Sequence, residues 1–237
     1  MLVRMRLFAL LRERAGAEAI ELELPAGARV RDALERVRWL TEEVPVVMAV
    51  NHEYAGADAV LHAGDELALI PPVSGGEGAA VGSGSPSARP GSNPSGAESS
   101  PGARSPHARV TREPLALDPL LELVRHPGAG AVVTFLGVTR DVTKLDYEAY
   151  MEMAQTKIAE IVIAAVRVHG LCAAAAEHRI GVVPLSEPSV AVAVSAPHRA
   201  QAFAGAREII DEIKARTPIW KREQGEWVRG AMPSPPP

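Results

Sequence analysis

The amino-acid sequence predicts an α+β protein of two domains joined by a tether. Three observations carry that expectation. Apolar residues within 1–76 recur first at every second position, then at helical spacing, then at every second position again. Positions 77–108 are dominated by Gly, Ser, Pro and Ala and lose any apolar period. From 109 to 230 strand-like and helix-like stretches alternate once more, and 231–237 reads as a disordered, Pro-rich tail. With 237 residues and 47% apolar content, the chain has enough material for two buried cores.

In the first domain Val3, Met5 and Leu7 alternate with polar neighbours, and Ile20, Leu22 and Leu24 do so again after Arg14-Ala-Gly16, which predicts an opening hairpin. Pro25-Ala-Gly27 closes its second strand. Val30, Leu34, Val37 and Leu40 then recur at helical spacing, with Asp32 in the first turn where an acid suits the helix dipole. They predict one amphipathic helix. Met48-Ala-Val50 and, after Gly64-Asp65, residues 66–70 supply further strands. Two strands, a helix and more strands describe a β-grasp, the ubiquitin-like arrangement. The domain ends in Pro71-Pro72-Val73-Ser74-Gly75-Gly76. A Gly-Gly end has no side chain to obstruct passage through a narrow channel, although by itself it equally begins a flexible linker.

Residues 77–108 carry two acids and two arginines and cannot bury enough apolar surface to offset their ordering entropy, so they are expected to be a disordered tether. As a flexible coil such a segment spans roughly 30 Å on average. It is also a plausible place for proteolysis.

The second domain opens with residues 115–124 at helical intervals and turns at His126-Pro-Gly128-Ala-Gly130. Residues 131–140 read as a buried strand ending near Gly137 and Arg140, and residues 144–150 as another. Residues 153–168 form an amphipathic helix with Ile158, Ile161, Val162 and Ala165 on one face. Residues 173–183 and 189–195 read as strands. Ser195-Ala-Pro197 then offers an N-cap with proline near the first helical position, and Phe203, Ala206, Ile210 and Ile213 continue that helix.

The helix leads into Lys214-Ala-Arg-Thr-Pro-Ile-Trp-Lys221-Arg-Glu, where the chemistry is expected. The chain has four lysines against 21 arginines, and two of the four sit here. Unlike guanidinium, an ε-amine can lose its proton, so it can act as nucleophile, base or acid. Thr217-Pro218 should end the helix and leave Lys214 and Lys221 on either side of a bend. The plainer reading is a basic helix end complementing the dipole. His198 and Arg199 fall in the first turn, where free N–H groups favour an anion, and Arg140 at a strand end is expected to converge on the same point as a phosphate site. Against this, His198 could merely bond locally and both arginines be solvated.

Composition narrows the alternatives. One cysteine, Cys172, excludes an internal disulfide or a Cys-rich metal site and reads as a small buried hydrophobe. No metal site is indicated. Residues 1–76 carry 8 basic and 12 acidic groups while residues 109–237 carry 15 of each, a hint that the two halves dock. Arg4, Arg6 and Arg12 interrupt the first apolar run too often for a signal peptide, and no uncharged span reaches membrane length, which points to the cytoplasm. With a net charge of −4, 4% aromatic residues and no basic stripe, the footprint for nucleic acid is poor.

Phe8-Ala-Leu-Leu-Arg12-Glu13, the Asn51 turn, Gly64-Asp-Glu66 and the Gly-Gly end together resemble the small sulfur-carrier subunit of molybdopterin synthase across residues 2–76. Gly130-Ala-Val-Val-Thr-Phe-Leu-Gly137 with Arg140, Glu177-His-Arg-Ile-Gly181, Ser195 with His198-Arg199, and Lys214 through Glu223 resemble the large catalytic subunit, whose fold is of the α/β-hammerhead type. The resemblance implies that Arg140, His198 and Arg199 bind the anionic end of a pterin, that Lys214 and Lys221 are the active-site lysines, and that Arg222 and Glu223 complete the substrate-binding motif. One stretch departs from the pattern: Asp141-Val-Thr-Lys144 runs directly into the next strand where the family has a longer loop with glycine.

The two resemblances together imply a natural fusion in molybdenum cofactor synthesis. A glycine thiocarboxylate at Gly76 would give its sulfur twice to cyclic pyranopterin monophosphate to build a dithiolene. No further cofactor is implied. The implied partners are an adenylating enzyme, a sulfur donor and a second copy of the catalytic domain, giving a homodimer. The rival reading is a non-catalytic assembly scaffold with the ubiquitin-like domain as a permanent docking module, because Gly76 is joined to Glu77 by an amide that cannot be adenylated.

Overall fold

The computed structural model describes residues 1–73, 107–228 and 230. Gly75, Gly76 and most of the expected tether, residues 77–106, lie outside the described residues, as does the tail at 231–237. The first domain runs β1 (Leu2–Leu7), α1 (Ala9–Ala15), β2 (Ala19–Glu23), α2 (Val30–Arg36), α3 (Arg38–Thr41), β3 (Val47–Val50), β4 (Glu53–Ala55) and β5 (Glu66–Ile70). Its sheet has the order β2-β1-β5-β3-β4, with β1 and β5 parallel at the centre. This is the expected β-grasp. Val3, Met5 and Leu7 turn one face of β1 onto Val30, Ala33 and Leu40, closing the core.

Two elements differ from expectation. A seven-residue helix, α1, interrupts the opening hairpin; it is too short to show a helical period, and Gly16 at φ 65° closes it with an N–H to the Glu13 carbonyl. The single helix expected across Val30, Leu34, Val37 and Leu40 breaks at Val37 (φ −116°, ψ 21°), so α2 and α3 follow one another around the sheet. Asp32 does act at the helix start, its carboxylate accepting the Arg29 N–H at 2.7 Å.

The second domain runs β6 (His107–Thr111), α4 (Leu117–Leu123), β7 (Ala131–Val138), β8 (Lys144–Ala149), α5 (Met151–His169), β9 (Ala173–Arg179), β10 (Gly181–Pro184), β11 (Pro188–Ala196), α6 (Arg199–Arg216), β12 (Ile219–Glu223) and β13 (Glu226–Trp227). Two four-stranded sheets result, β6-β9-β11-β7 and β10-β8-β12-β13. Helices α5 and α6 cover one face of the first sheet through Ile158, Ile161, Val162, Ile209 and Ile213 against Val190, Val192 and Val194. On the other face, Ala173, Ala175, Ala191 and Ala193 leave room for Leu120 of α4 and its C-cap Val124 to approach closely. The alanine run is therefore a packing surface for a helix.

Four expectations are corrected by the structure. Strand β6 begins at His107, inside the segment read as tether, because its pairing partner β9 is far away in sequence. Residues 173–183 are two strands in separate sheets, divided where Gly181 takes φ 78°. The strand from 131 is an edge strand and not buried on both faces; Val132 and Val138 are 50% and 51% exposed. Ser195 does not cap α6 but is fully buried within β11, and His198 occupies the N-cap position without a side-chain bond.

The two domains dock directly. Phe8 stacks on Trp220 with ring centroids 4.9 Å apart and also meets Tyr150, while Ile70, Val73 and Met153 complete the apolar cluster. Trp220 Nε1 donates to the Pro71 carbonyl at 3.1 Å, and Tyr54 Oη donates to the Arg216 carbonyl at 2.9 Å. Ion pairs cross this surface in both senses: Glu53 meets the buried Lys157 at 3.3 Å and Glu13 meets Arg222 at 3.5 Å, while Arg12 meets Glu148 at 2.8 Å, so the charge imbalance between the halves does not by itself set the docking. Because Trp220 immediately precedes Lys221, the last described residues of the first domain are fixed against the strand that carries one of the two lysines.

Candidate active site

Lys214 sits in the last turn of α6, and the chain leaves the helix at Thr217 (φ −89°, ψ 131°) before Pro218. Proline forbids a helical Thr217, so the backbone turns at once into β12. There Lys221 lies opposite Tyr147 of β8 and Arg222 opposite Asp146. The expected bend between the two lysines is present. Their surroundings differ: Lys221 Nζ meets Glu223 Oε1 at 2.7 Å, whereas Lys214 is exposed and has no ion-pair partner among the described residues. Arg222 donates to Asp146 at 2.8 Å, which holds its guanidinium pKa above the usual value, and lies over the Trp227 ring. Glu223 is thus a partner of Lys221, and Arg222 joins β12 to β8 and to the first domain.

Beside Lys214 is a crevice of about 70 Å³, lined also by Tyr147, His178, Ser189 and Thr217. Tyr147 Oη donates to Ser189 Oγ at 3.1 Å, and Ser189 Oγ donates to the Gly137 carbonyl at 3.2 Å. His178 Nδ1 lies 2.8 Å from the Arg179 carbonyl. A carbonyl only accepts, so Nδ1 carries the proton and Nε2 offers a lone pair. The imidazole packs edge-on to Tyr147 at 5.2 Å. Thr217 is buried, and its Oγ1 has no hydrogen-bond partner among the described residues. Leaving such a hydroxyl unsatisfied costs about 1–3 kcal/mol.

Burial pushes the His178 pKa from 6.5 down to about 4. Since the unfolded chain then takes up this proton first, the contribution is complete above pH 6.5 and is lost as the pH falls toward 4. The full span corresponds to about 3 kcal/mol. Urea midpoints at pH 7 and pH 4.5 should show this loss in the wild-type chain and a smaller one in His178→Gln.

The residues expected to bind an anion do not meet in one chain. His198 and Arg199 are exposed at the start of α6, and helical rise alone separates Arg199 from Lys214 by about 22 Å. Arg140 is 87% exposed just beyond β7, beside Asp141 at 3.7 Å. In the antiparallel register of β7 and β11, Val138 faces Pro188 while Ala131 faces Ala196, so Arg140 and His198 lie at opposite ends of the pair, roughly 20 Å or more apart. Arg140 belongs to the lysine end, where Ser189 bonds Gly137 and the Thr139 N–H reaches the Glu187 carbonyl at 3.0 Å. The short loop after it turns through Asp141 at φ 62° and borders a cavity of about 550 Å³ lined by Thr143, Lys144, Asp146 and Arg222.

The sequence assigns no site role to Tyr147 or Ser189, and marks Thr217 only as the helix stop before Pro218. Tyr147 and Ser189 come from strands of two different sheets and meet only where those sheets pack together; His178 and Glu177 lie in a motif that had no assigned role. Glu177 is buried and accepts from Arg109 at 2.7 and 3.0 Å and from His107 at 2.8 Å, which pins β6 to β9. The Cys172 thiol is partly buried, which pushes its pKa up. No helix among the described residues is long and apolar enough to cross a membrane.

Comparison with known proteins gives two family matches: the MoaE protein family over residues 110–216 and the ThiS family over residues 5–76. The molybdopterin synthase catalytic subunit of Thermoplasma volcanium is 43% identical over 132 residues, covering 51% of this chain and 96% of its own length. That of Coccidioides immitis is 42% identical over 132 residues, covering 50% of this chain and 67% of its own. A solved molybdopterin synthase from Staphylococcus aureus is 34% identical, covering 51% of this chain and 95% of that one, with a TM-score of 0.48.

Proposed function

The chain belongs to the molybdopterin synthase catalytic-subunit family, the MoaE proteins, with a ThiS-family domain ahead of it, and from that premise we propose that it builds the dithiolene of molybdopterin with sulfur carried on a glycine. The observation that carries this is the docking of the first domain on Trp220, which fixes its last described residues against the strand of Lys221. The sulfur of a thiocarboxylate at Gly76 attacks an oxygen-bearing carbon of cyclic pyranopterin monophosphate, the C–S bond forming as the C–O bond at that carbon breaks and its oxygen leaves as water or on the opened phosphate. Water then cleaves the acyl–sulfur bond, the carrier leaves as a carboxylate, and a second carrier repeats the step. Lys214 assists attack at the acyl carbon and stabilises the developing oxyanion, and Lys221, matched by Glu223, assists ring opening or proton transfer. Sulfur arrives from outside as the thiocarboxylate, installed by an adenylating enzyme and a sulfur donor, so the reaction so written uses no resident cofactor. Expression of the chain in a cell that lacks its own large subunit should restore molybdoenzyme activity; a well-expressed chain that does not restore it contradicts the reading.

Arg140, His198 and Arg199 bind the anionic end of the pterin in a pocket completed by a second copy of the catalytic domain. Support for a second copy comes from their separation within one chain, together with the exposed Val132, Leu136 and Val138 on edge strand β7. Hydrogen bonds to charged groups are worth about 1.5–3 kcal/mol, so losing Arg140 or Arg199 should weaken precursor binding roughly tenfold to a hundredfold by calorimetry. Mixing the Arg140→Ala and Arg199→Ala chains should regenerate some intact pockets and recover part of the turnover. Unchanged affinity in both variants would move the anion site elsewhere.

A further inference from the structure

The crevice beside Lys214 offers hydrogen-bonding groups that the proposed reaction leaves unused. Tyr147 and Ser189 satisfy one another, but Thr217 Oγ1 lines the same space with no partner among the described residues, and His178, whose Nδ1 is taken by the Arg179 carbonyl, keeps the lone pair of Nε2 outside that bond. Thr217 is only 1% exposed, at a backbone geometry (φ −89°, ψ 131°) that valine adopts equally well, so packing does not explain its hydroxyl. A volume of about 70 Å³ is too small for a pterin and admits about two water molecules. No carboxylate among the described residues lines this crevice, whereas Lys221 has Glu223 at 2.7 Å.

We propose that this crevice positions the amine of Lys214, with Thr217 Oγ1 and His178 Nε2 holding it through one or two ordered waters. The inference rests on the reading of Lys214 as the amine at the reacting centre. An acid in this place would lock the side chain as an ion pair. Uncharged partners instead fix the direction of the nitrogen while leaving its proton transferable, because a hydroxyl can both donate and accept and a neutral imidazole nitrogen accepts without adding charge. Burial keeps the His178 ring neutral at physiological pH, as that role requires. Thr217 and His178 are thus positioning residues acting through Lys214. The crevice also accounts for the difference between the two lysines: one matched by a carboxylate and one set against neutral groups.

The test uses the full chain, supplied with cyclic pyranopterin monophosphate and a free thiocarboxylated carrier protein. Thr217→Val deletes the hydroxyl at nearly constant shape. A merely structural hydroxyl without a partner would be lost with a melting temperature equal to or above wild type and no change in turnover. A positioning hydroxyl gives the same melting behaviour but a roughly tenfold fall in kcat at unchanged KM, equivalent to about 1.4 kcal/mol at the transition state. His178→Gln, whose amide oxygen still accepts, should keep more turnover than His178→Leu; where either fails to fold, Thr217→Val decides. Wild-type kcat in Thr217→Val overturns the positioning role while leaving the reaction assignment intact. A wild-type chain that forms no dithiolene overturns the reaction assignment and this inference with it.

Discussion

Replacing Lys214 by alanine is expected to lower dithiolene formation by two to four orders of magnitude, about the range that a positioned acid or base supplies, while leaving the fold intact. Lys214 is exposed in the last turn of α6 and has no ion pair among the described residues to lose, so its removal touches neither core. Surface changes of this kind stay within about 0.5 kcal/mol of wild-type stability. Lys221→Ala should also be severely impaired. Arginine at position 214 should fail as well, since guanidinium keeps the charge and not a removable proton. Near-normal turnover in Lys214→Arg, measured as product formed per chain, would exclude proton transfer and nucleophilic roles.

The second large effect is expected from Gly76→Pro. Activation of the carrier requires a free terminal carboxylate, and in this chain Gly76 is followed by Glu77 through an amide, which is a poor acyl donor and offers no oxygen for adenylation. We therefore expect cleavage after Gly76 before the first domain can donate sulfur. The proline variant should stay uncut, seen as the full mass of the chain isolated from its native cell, and should starve the pathway until a free carrier is added. An uncut variant that still accepts sulfur and supports product formation unaided would rule out release and favour a different route to the acyl donor.

Much of the fold was legible because its signals are local. The alternation of Val3, Met5 and Leu7, the helical spacing of Ile158, Ile161 and Val162, and the Thr217-Pro218 stop each report on their own element, and each is found in place. Pairing over long sequence distances was not legible. Strand β6 is defined by β9, with His107 and Glu177 separated by 70 positions, and its first two residues, His107 and Ala108, do not stand out from the tether before them. The break at Gly181 divides the stretch 173–183 between two sheets, a choice made by tertiary packing.

The site followed the same division. The two lysines and their bend could be read from four lysines among 21 arginines and one proline. The failed convergence of Arg140 with His198 and Arg199 was partly legible too, since a helix from 199 to 216 already holds its ends far apart; only the strand register shows that Arg140 belongs with the lysines. Tyr147, His178, Ser189 and Thr217 meet through three strands and a helix end, so no spacing in the sequence brings them together.

The most direct test of the central claim is a count of sulfur. The full chain is incubated with cyclic pyranopterin monophosphate and excess free thiocarboxylated carrier, and the pterin product and spent carrier are weighed by mass spectrometry. Sulfur transfer at this site predicts a product with two added sulfur atoms and two carriers returned as carboxylates for each pterin converted. Recovery of the pterin without added sulfur, at carrier and substrate concentrations that saturate binding, would contradict it.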